Sequence, residues 1–527
     1  MNRAGEERTS IGSPASRGHR RRRRGALARG RGRLRLWLTD QAAILRQTRL
    51  AIVASGLLLL LVLVLPALAW GAVGMPWRAL TEMALFLGLA LALTAAPHDA
   101  LRPVARPAFL LAAAAFWGLV QSMPWPAAWV GLLAPATARA WTEAQGLLGA
   151  DTGWMPVSLA PEASRTAFLL WLAGAAALAL GGLLGRFRGL RRLALWALSA
   201  GASFQVLFGA GAWLRRDPVI WGLDVPGDPS RLRGTFVNPD HLALHLALAL
   251  TCATAWSWWA LRKARHGGMP IERRLMLPTA PLLLVALLFA GIAFTGSRAG
   301  LLAAVAALAT QGLVLALRHR RWQMASVTLV SLAVGLGTVG LIGWRQGFAR
   351  WFETSTYELT WNARLAAWPA TIELWASSPV VGVGLGAFEA AFPRVQPATL
   401  PGTWTHAHSD VLETLATGGL VLVPCLVLAA WLTMRRLWLV LRRGRRSEDR
   451  TAALAAWGAL AAAFFHSCVD FGLTMPANSL ALLLVCGLAL GTPTLQPRPA
   501  AERRTHMLPR DADVRPVPVA RPSAIDR

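Results

Sequence analysis

The chain has 527 residues, of which 55% are hydrophobic and 15% charged, and its formal net charge is +28 at pH 7. The mean hydropathy is +0.45, and the apolar residues are gathered into long uncharged runs. This pattern excludes an ordinary soluble protein, in which apolar and polar residues are interleaved. A strongly basic soluble chain would suggest nucleic-acid binding, but most of this positive charge falls between and outside the apolar runs, which argues against that class.

The first apolar run covers residues 50–70 and contains no charge, and this is the length that a helix needs to cross about 30 Å of hydrocarbon. A signal peptide is the alternative, because Ala67, Leu68 and Ala69 resemble a small-x-small cleavage site and a basic region precedes the run. Both the leader over residues 1–49 and the apolar core are long for a signal peptide, so we expect an uncleaved first helix.

Apolar runs bounded by charged residues or prolines recur along the rest of the chain and predict about twelve transmembrane helices. The predicted spans are residues 50–70, 77–96, 106–123, 165–185, 190–213, 239–261, 276–295, 298–317, 325–344, 418–434, 453–471 and 477–491. The sequence therefore predicts an all-α polytopic integral membrane protein.

The basic residues predict the orientation of these spans. With both termini in the cytoplasm, most of the 54 lysines and arginines fall on the inner face, as the positive-inside rule requires. The short inner loops at 186–192, 318–321 and 435–443 are all basic. Residues 1–49 and 492–527 are predicted to be disordered cytoplasmic tails, and residues 50–491 the membrane domain.

Two of the predicted outer segments are too long to be simple turns. Residues 124–164 contain four tryptophans, which favour an interfacial aromatic belt over stacking on sugar rings. Residues 345–417 form the longest loop, with helical patterning at 362–377 and a glycine-punctuated stretch at 382–386. A long ordered loop in a compact protein is usually functional.

Two clusters of polar residues lie where predicted spans meet the outer surface. The first begins with Arg231 and Arg233 and ends at Asp240 and His241, as the sixth span begins. Both arginines have an alternative role as helix anchors that extend to the interface. The second cluster is the tight turn before Arg298, where a guanidinium between two apolar helices has little water, which indicates function.

Two further clusters contain histidines. His406, His408 and Asp410 lie at the end of the large loop, and the sequence pattern alone does not choose between the two histidines. His466 and Asp470, one helical turn apart in the eleventh predicted span, are expected to hydrogen-bond inside the bundle or to relay protons.

We predict neither a metal site nor a disulfide. His241 and His245 are spaced i, i+4 and could ligate a metal, but no carboxylate cluster accompanies them. The four cysteines all lie in apolar stretches without CxxC spacing, which is typical of small core residues.

The first three clusters are predicted to converge at the outer membrane boundary. Arginine stays charged and offers a planar fork of donors that suits phosphate. Histidine can take a proton near neutral pH. Together these groups suit a reaction with a phosphate leaving group and a hydroxyl nucleophile.

The same residues resemble motifs of the O-antigen ligase and polymerase superfamily, in order and spacing, over about residues 50–491. The resembling segments are 158–166 (SLAPEASRT), 234–243 (GTFVNPDHLA), 295–298 (TGSR), 379–384 (PVVGVG), 406–410 (HAHSD) and 466–471 (HSCVDF).

The resemblance implies a GT-C-like, metal-independent inverting glycosyltransferase without a cofactor, at the periplasmic face of the bacterial inner membrane. Its ligases transfer a glycan from undecaprenyl diphosphate to lipid A–core, and its large loop lies between spans nine and ten. The loop pattern of His, then Asn, Ser or Gln, then nine residues and Gly matches His408, Ser409 and Gly419. Three residues after that glycine the family pattern has Gly, Thr or Tyr, whereas this chain has Leu422. This departure favours a polymerase relative over a true ligase.

The resemblance also implies roles for individual residues. The two essential arginines of the family correspond to Arg298 and to Arg233, or less closely to Arg231. With His408 as the acceptor-activating residue, Arg233 and Arg298 are the predicted catalytic arginines. Predicted substrate-binding residues are Arg231, Asn238 and Asp410.

Two alternatives remain at this stage. A polymerase would join repeat units on lipid diphosphate with the same donor chemistry. A secondary transporter is the more distant alternative, because twelve spans with both ends inside is a common transporter plan, although no matching halves are evident in the sequence. The predicted partners are an undecaprenyl-diphosphate-linked glycan, a lipid or saccharide acceptor and membrane lipids, with no nucleic acid.

Overall fold

The computed structural model describes residues 47–97, 99–149, 153–216, 219–225, 228, 230–265, 268–319, 333 and 361–494. Nearly all of both tails, the ninth predicted span at 325–344 and the first part of the large loop therefore lie outside the described residues.

The described part of the chain is almost entirely helical, with only two short antiparallel strand pairs. The α-helices are α1 Gln47–Leu68, α2 Met75–Ala95, α3 Ala105–Ser122, α4 Ala127–Leu133, α5 Pro135–Leu147, α6 Pro161–Leu184, α7 Arg188–Arg215, α8 Pro239–Arg265, α9 Ile271–Phe294, α10 Arg298–His319, α11 Trp361–Ala376, α12 Phe388–Ala391, α13 Asp410–Gly418, α14 Leu422–Arg443, α15 Ser447–Ser467 and α16 Pro476–Leu490. The strand pairs are β1 Pro124–Pro126 with β2 Trp154–Pro156, and β3 Val219–Ile220 with β4 Leu223–Asp224.

The prediction of an all-α polytopic membrane protein is confirmed. Among the described residues, eight helices are long and apolar enough to cross a membrane, namely α1, α2, α6, α7, α8, α9, α10 and α14. The predicted spans at 106–123, 453–471 and 477–491 correspond to the helices α3, α15 and α16. The total of twelve remains a prediction, because the ninth span lies outside the described residues.

Helix α8 forms the centre of the bundle because its small and apolar side chains cover its whole circumference. It packs against α9, α10 and α15, while α6 packs against α2, α3 and α16. Close approach of α6 and α16 depends on glycine, since a Cβ on Gly181 would lie 2.8 Å from the carbonyl oxygen of Leu484. All four cysteines are free thiols, and Cys252 and Cys486 are buried.

The large loop contains a small core of its own, formed mainly by apolar residues of α11, α12 and α13. The glycine-punctuated stretch connects this core to the bundle. Gly382 has a φ of +71° and Gly384 a φ of +111°, and a Cβ at these positions would lie 2.3 Å from Thr417 O and 2.2 Å from Ser158 Oγ, respectively. The stretch thus passes between the start of α6 and the end of α13 where no side chain fits.

The tryptophans of the other long segment have two different surroundings. Trp129 and Trp154 are 61% and 53% exposed on the surface of the α4–α5 hairpin and its strands. Trp125 instead donates from Nε1 to the carbonyl of Val120, at 3.0 Å. The interfacial-belt interpretation of this segment stays a prediction.

Candidate active site

All four polar clusters identified in the sequence meet at one end of the bundle. Three hydrogen bonds connect them. Arg231 Nε donates to the carbonyl of Thr295 at 2.7 Å, His466 Nε2 lies 3.3 Å from the carbonyl oxygen of Asp240, and the Asp410 amide donates to the carbonyl of Asp470 at 3.0 Å. The site is therefore built from the start of α8, the α9–α10 turn, the start of α13 and the turn after α15.

His408 and Asp470 form the central pair of the site. The Nδ1 atom of His408 lies 3.2 Å from Asp470 Oδ1, which also accepts the Phe471 amide at 2.9 Å. A carboxylate at Nδ1 favours the tautomer that carries its proton there and leaves Nε2 able to accept one. Nε2 has no hydrogen-bond partner among the described residues. The pair therefore has the arrangement of a positioned general base.

The backbone of His408 has a φ of +51°, in the left-handed region that side chains with a Cβ rarely adopt. Such strain persists only where surrounding contacts impose it, and it is concentrated at functional sites. Here the imidazole packs edge-on against Trp404 and Phe471, with ring centroids 5.8 and 4.7 Å away. These contacts hold the histidine toward Asp470.

Arg364 of α11 connects two carboxylates, the buried Asp470 and the half-buried Asp240. Its guanidinium lies 3.4 Å from Asp470 Oδ2 and 3.9 Å from Asp240 Oδ2. Burial of Asp470 would raise the pKa of its carboxyl, but the hydrogen bond from His408 and the charge of Arg364 hold that pKa below its usual range. Asp470 is therefore a stable carboxylate against which the imidazole can become positively charged.

The second histidine of the loop has its own carboxylate. His406 Nδ1 lies 3.0 Å from Glu413 Oε1, and its ring stacks on Phe471 with centroids 4.2 Å apart. Burial would lower the pKa of His406, but the hydrogen bond and charge of Glu413 raise it above the ordinary value. Both histidines thus pair with a carboxylate, and of the two only His408 has a positive φ.

Asp410 is directed into the protein at the start of α13. Its Oδ2 accepts hydrogen bonds from Ser467 Oγ at 2.8 Å and from the Leu473 amide at 3.0 Å. The neighbouring Ser409 caps α13 by accepting the Leu412 amide through its hydroxyl. Asp410 therefore connects the histidine loop to the turn that contains Asp470, and burial raises its pKa to about 7.

This raised pKa predicts a pH-dependent stability. Folded Asp410 holds its proton up to about pH 7, whereas an unfolded aspartate loses it near pH 4, so the free energy of unfolding should fall as the pH rises between these values. Thermal unfolding in detergent, measured from pH 4.5 to 7.5, should show this decline in the wild type and a flatter profile in Asp410→Asn. Parallel profiles for the two proteins would contradict the assignment.

The three predicted arginines have different surroundings. Arg231 forms an ion pair with Asp240 at 2.8 Å. Arg233 is 7% exposed, and burial lowers the pKa of its guanidinium. Arg298, the first residue of α10, is half-buried and has no hydrogen bond or ion pair with another described residue. Of the three, Arg298 is the cation whose charge is least compensated in the described part of the protein.

The remaining predicted site residues help to build the helix ends. Asn238 accepts the Asp240 amide through Oδ1 at 2.8 Å and so begins α8. His241 lies edge-on to Phe471 within the same cluster. Within the described ranges, no group of three His, Cys, Asp or Glu side chains is arranged to hold a metal ion.

Arg364, Glu413 and Phe471 are site residues that the sequence analysis did not select. Arg364 is the first charged residue of α11, and its neighbours in this helix are mainly apolar. A single charge in an apolar helix was the feature of the sequence that could have identified Arg364 as a site residue. The eleventh predicted span ended at 471, but α15 ends at Ser467, so Asp470 lies in the following turn. This boundary difference explains why the carboxylate reaches His408 and is not confined to a pair with His466.

Residues 283–427 match the Wzy_C family model, described as O-antigen ligase. The matched segment extends from α9 to the first part of α14 and includes Arg298, Arg364 and His408. No curated protein matches the chain. The family match supports glycosyl transfer of the ligase or polymerase type, on lipid-linked saccharides in general, by a multi-pass membrane protein. Residues 283–427 are thus similar to an O-antigen ligase domain, in agreement with the resemblance of the motifs.

Proposed function

We propose that this protein transfers a glycan from undecaprenyl diphosphate to a hydroxyl acceptor such as lipid A–core, at the periplasmic face of the bacterial inner membrane. The observation that carries the proposal is the His408–Asp470 pair, assembled at the same bundle end as Arg298, whose charge no described residue compensates. The predominance of basic residues in the loops and tails of the opposite side supports the assigned orientation.

In the proposed mechanism, His408 Nε2 accepts the proton of the acceptor hydroxyl. The hydroxyl oxygen then forms a bond to the anomeric carbon, and the bond from that carbon to the diphosphate oxygen breaks. The electron pair of that bond leaves with the diphosphate, whose growing negative charge is stabilised by Arg298 and Arg233. Attack opposite to the leaving group inverts the anomeric configuration, and this chemistry does not require a metal ion.

Asp470 acts in this proposal as a positioning residue. It is fully buried, and its two oxygens contact different partners, so its carboxylate is held in one orientation. This orientation fixes the imidazole tautomer and stabilises the imidazolium that forms when His408 takes the proton. Arg231, Asn238 and Asp410 all have partners within the protein, which supports a role in holding the site together around the substrate.

Asp470→Asn should lower kcat by about 100-fold or more, because an amide no longer stabilises the imidazolium. The KM for the lipid-linked donor should stay within about threefold, because Asp470 does not contact the diphosphate in this mechanism. Steady-state kinetics on purified protein in liposomes would measure both constants. An unchanged kcat with a raised KM would contradict the positioning role.

A polymerase that extends lipid-linked repeat units is the second candidate, favoured by Leu422. This side chain is 1% exposed, and it packs with Ala114 and Leu385 between α14, α3 and the glycine-punctuated stretch. The departure from the ligase pattern therefore lies in helix packing outside the His408 pair. Leu422 contributes to the contact between α14 and α3, and the donor chemistry is the same for both candidates.

Reconstitution in liposomes with a defined undecaprenyl-diphosphate glycan and lipid A–core would distinguish the candidates by product mass. A ligase yields glycan on lipid A–core, and a polymerase yields a longer glycan that remains on undecaprenyl diphosphate. Either product should form much more slowly in His408→Asn. A known ligase serves as the control that the acceptor is usable. If the protein forms neither product with that acceptor, the proposed function is contradicted.

A further inference from the structure

A second group of arginines lies at the opposite end of the bundle from His408. There the C-terminal ends of α8 and α10 meet the N-terminal end of α15, because these three helices pack against one another along their length. Each helix contributes one half-buried arginine: Arg262 from α8, Arg318 from α10 and Arg450 from α15. We refer to these three residues as the arginine triad.

The members of the triad are close enough to repel one another. Arg318 experiences the repulsive charges of both Arg450 and Arg262, and Arg450 experiences the repulsive charge of Arg262 and the attractive charge of Asp449. Two partly desolvated cations at one helix junction, Arg318 and Arg450, are costly unless an anion compensates them. The first turn of α15 adds its own partial positive charge to the same region.

The acidic side chains nearby are engaged with other arginines. Glu448 accepts two hydrogen bonds from Arg188, one of them at 2.6 Å, and Asp449 forms a buried ion pair with Arg191. Neither Arg318 nor Arg450 has a carboxylate oxygen within 4 Å among the described residues. The described acids at this junction therefore leave these two cations without an ion-pair partner.

The available donors of the triad point to a phosphate-type ligand. Arg450 Nε is buried without a hydrogen-bond partner in the described part of the chain, while Nη1 of the same residue donates to the Gly444 carbonyl at 3.3 Å. Among the described residues, the hydrogen-bond partner of Arg318 Nη1 is His319 Nε2, at 3.2 Å. Guanidinium groups bind phosphate oxygens through several donors at once, so a phosphate held by the terminal nitrogens of Arg318 and Arg450 would compensate both charges.

The location of the triad indicates that the phosphate belongs to a lipid. Arg262 lies over the ring of Trp258, and Lys263 lies over the ring of Trp259, at 5.3 and 4.9 Å. Trp258 is buried inside the bundle, whereas Trp259 is half-buried, and a tryptophan that is accessible beside a cation at the end of a membrane-spanning helix marks the level of lipid headgroups. Basic pockets between such helix ends bind anionic headgroups. We propose that the arginine triad binds the phosphate of an anionic phospholipid, independently of the transfer reaction at the other end of the bundle.

Native mass spectrometry of the full-length protein with phosphatidylglycerol, cardiolipin and phosphatidylcholine would test this site. The wild type should retain the anionic lipids preferentially, and Arg318→Gln with Arg450→Gln should reduce their retention by about tenfold or more. The matched control is Arg443→Gln with Arg445→Gln, which removes two exposed arginines from the same end and should leave retention near the wild-type level. Arg318→Lys with Arg450→Lys keeps the charge and should retain part of the binding.

Thermal unfolding in detergent separates lipid from free phosphate. The wild type should unfold at a higher temperature with phosphatidylglycerol than with an equal concentration of inorganic phosphate, and the Gln double variant should lose this difference. Equal stabilisation by inorganic phosphate would overturn the lipid assignment. Equal loss of lipid retention in the triad variant and the exposed control would overturn the site itself, as would unchanged retention in a folded triad variant.

Discussion

Replacement of His408 by asparagine should lower the rate of glycan transfer by about 10²–10⁴-fold, the range expected for loss of a general base. The reason is that Nε2 of His408 is the proposed proton acceptor, and an amide in its place has no comparable basicity. Asparagine is the appropriate replacement because it tolerates the left-handed backbone at this position better than most residues. Product formation by purified protein in liposomes would measure the effect.

His406→Asn is the matched control for this experiment. His406 also pairs with a carboxylate and contacts Phe471, so its loss disturbs the same loop without removing the proposed base. We expect a decrease of no more than about tenfold, on the order of 1 kcal/mol in the activation barrier. A larger loss in His406→Asn than in His408→Asn, with both proteins folded, would reverse the assignment of the two histidines.

Replacement of Arg298 by glutamine should lower kcat/KM by about 10²–10³-fold, the magnitude seen when a preorganised donor to a developing anion is removed. Arg298 is suited to this role because, among the described residues, no internal partner compensates its charge. Arg298→Lys should recover part of the activity, since it keeps the charge but not the planar fork of donors. Steady-state kinetics with the lipid-linked donor would measure these constants.

Arg394→Gln is the control for loss of charge near the site, because Arg394 is exposed on the large loop. Its kinetics should match those of the wild type. The Arg298 variant should also bind undecaprenyl diphosphate more weakly than the wild type in a direct binding assay. Unimpaired transfer by Arg298→Gln would remove this residue from the mechanism.

Much of the architecture could be predicted from the sequence because the bilayer imposes a simple requirement. A helix that crosses hydrocarbon needs about twenty apolar residues, so runs such as 50–70 and 276–295 are visible without tertiary information. Arg298 was identified by the same reasoning, since a polar group at a membrane boundary is costly without a function. His408 was preferred over His406 because His408, Ser409 and Gly419 match the loop pattern of the family that the chain resembles.

The partners of these groups could not be predicted in the same way. Cys468, Val469 and Phe471 extend the apolar composition beyond the end of α15, so the sequence placed Asp470 inside a span. Only the tertiary arrangement shows that the carboxylate lies beside His408. Arg364 was missed for a related reason, because it is more than a hundred residues from Asp470 in the sequence and the loop fold brings the two together.

The central claim is that glycan transfer releases a diphosphate leaving group at this site, and its most direct test is the amount of undecaprenyl diphosphate released in liposomes. With purified protein, a chemically defined donor and a suitable acceptor, the account predicts one undecaprenyl diphosphate for each glycosidic bond formed, and a release about 10²–10⁴-fold slower with His408→Asn. Passage of intact donor across the membrane without any release of undecaprenyl diphosphate would contradict the account and favour a transporter.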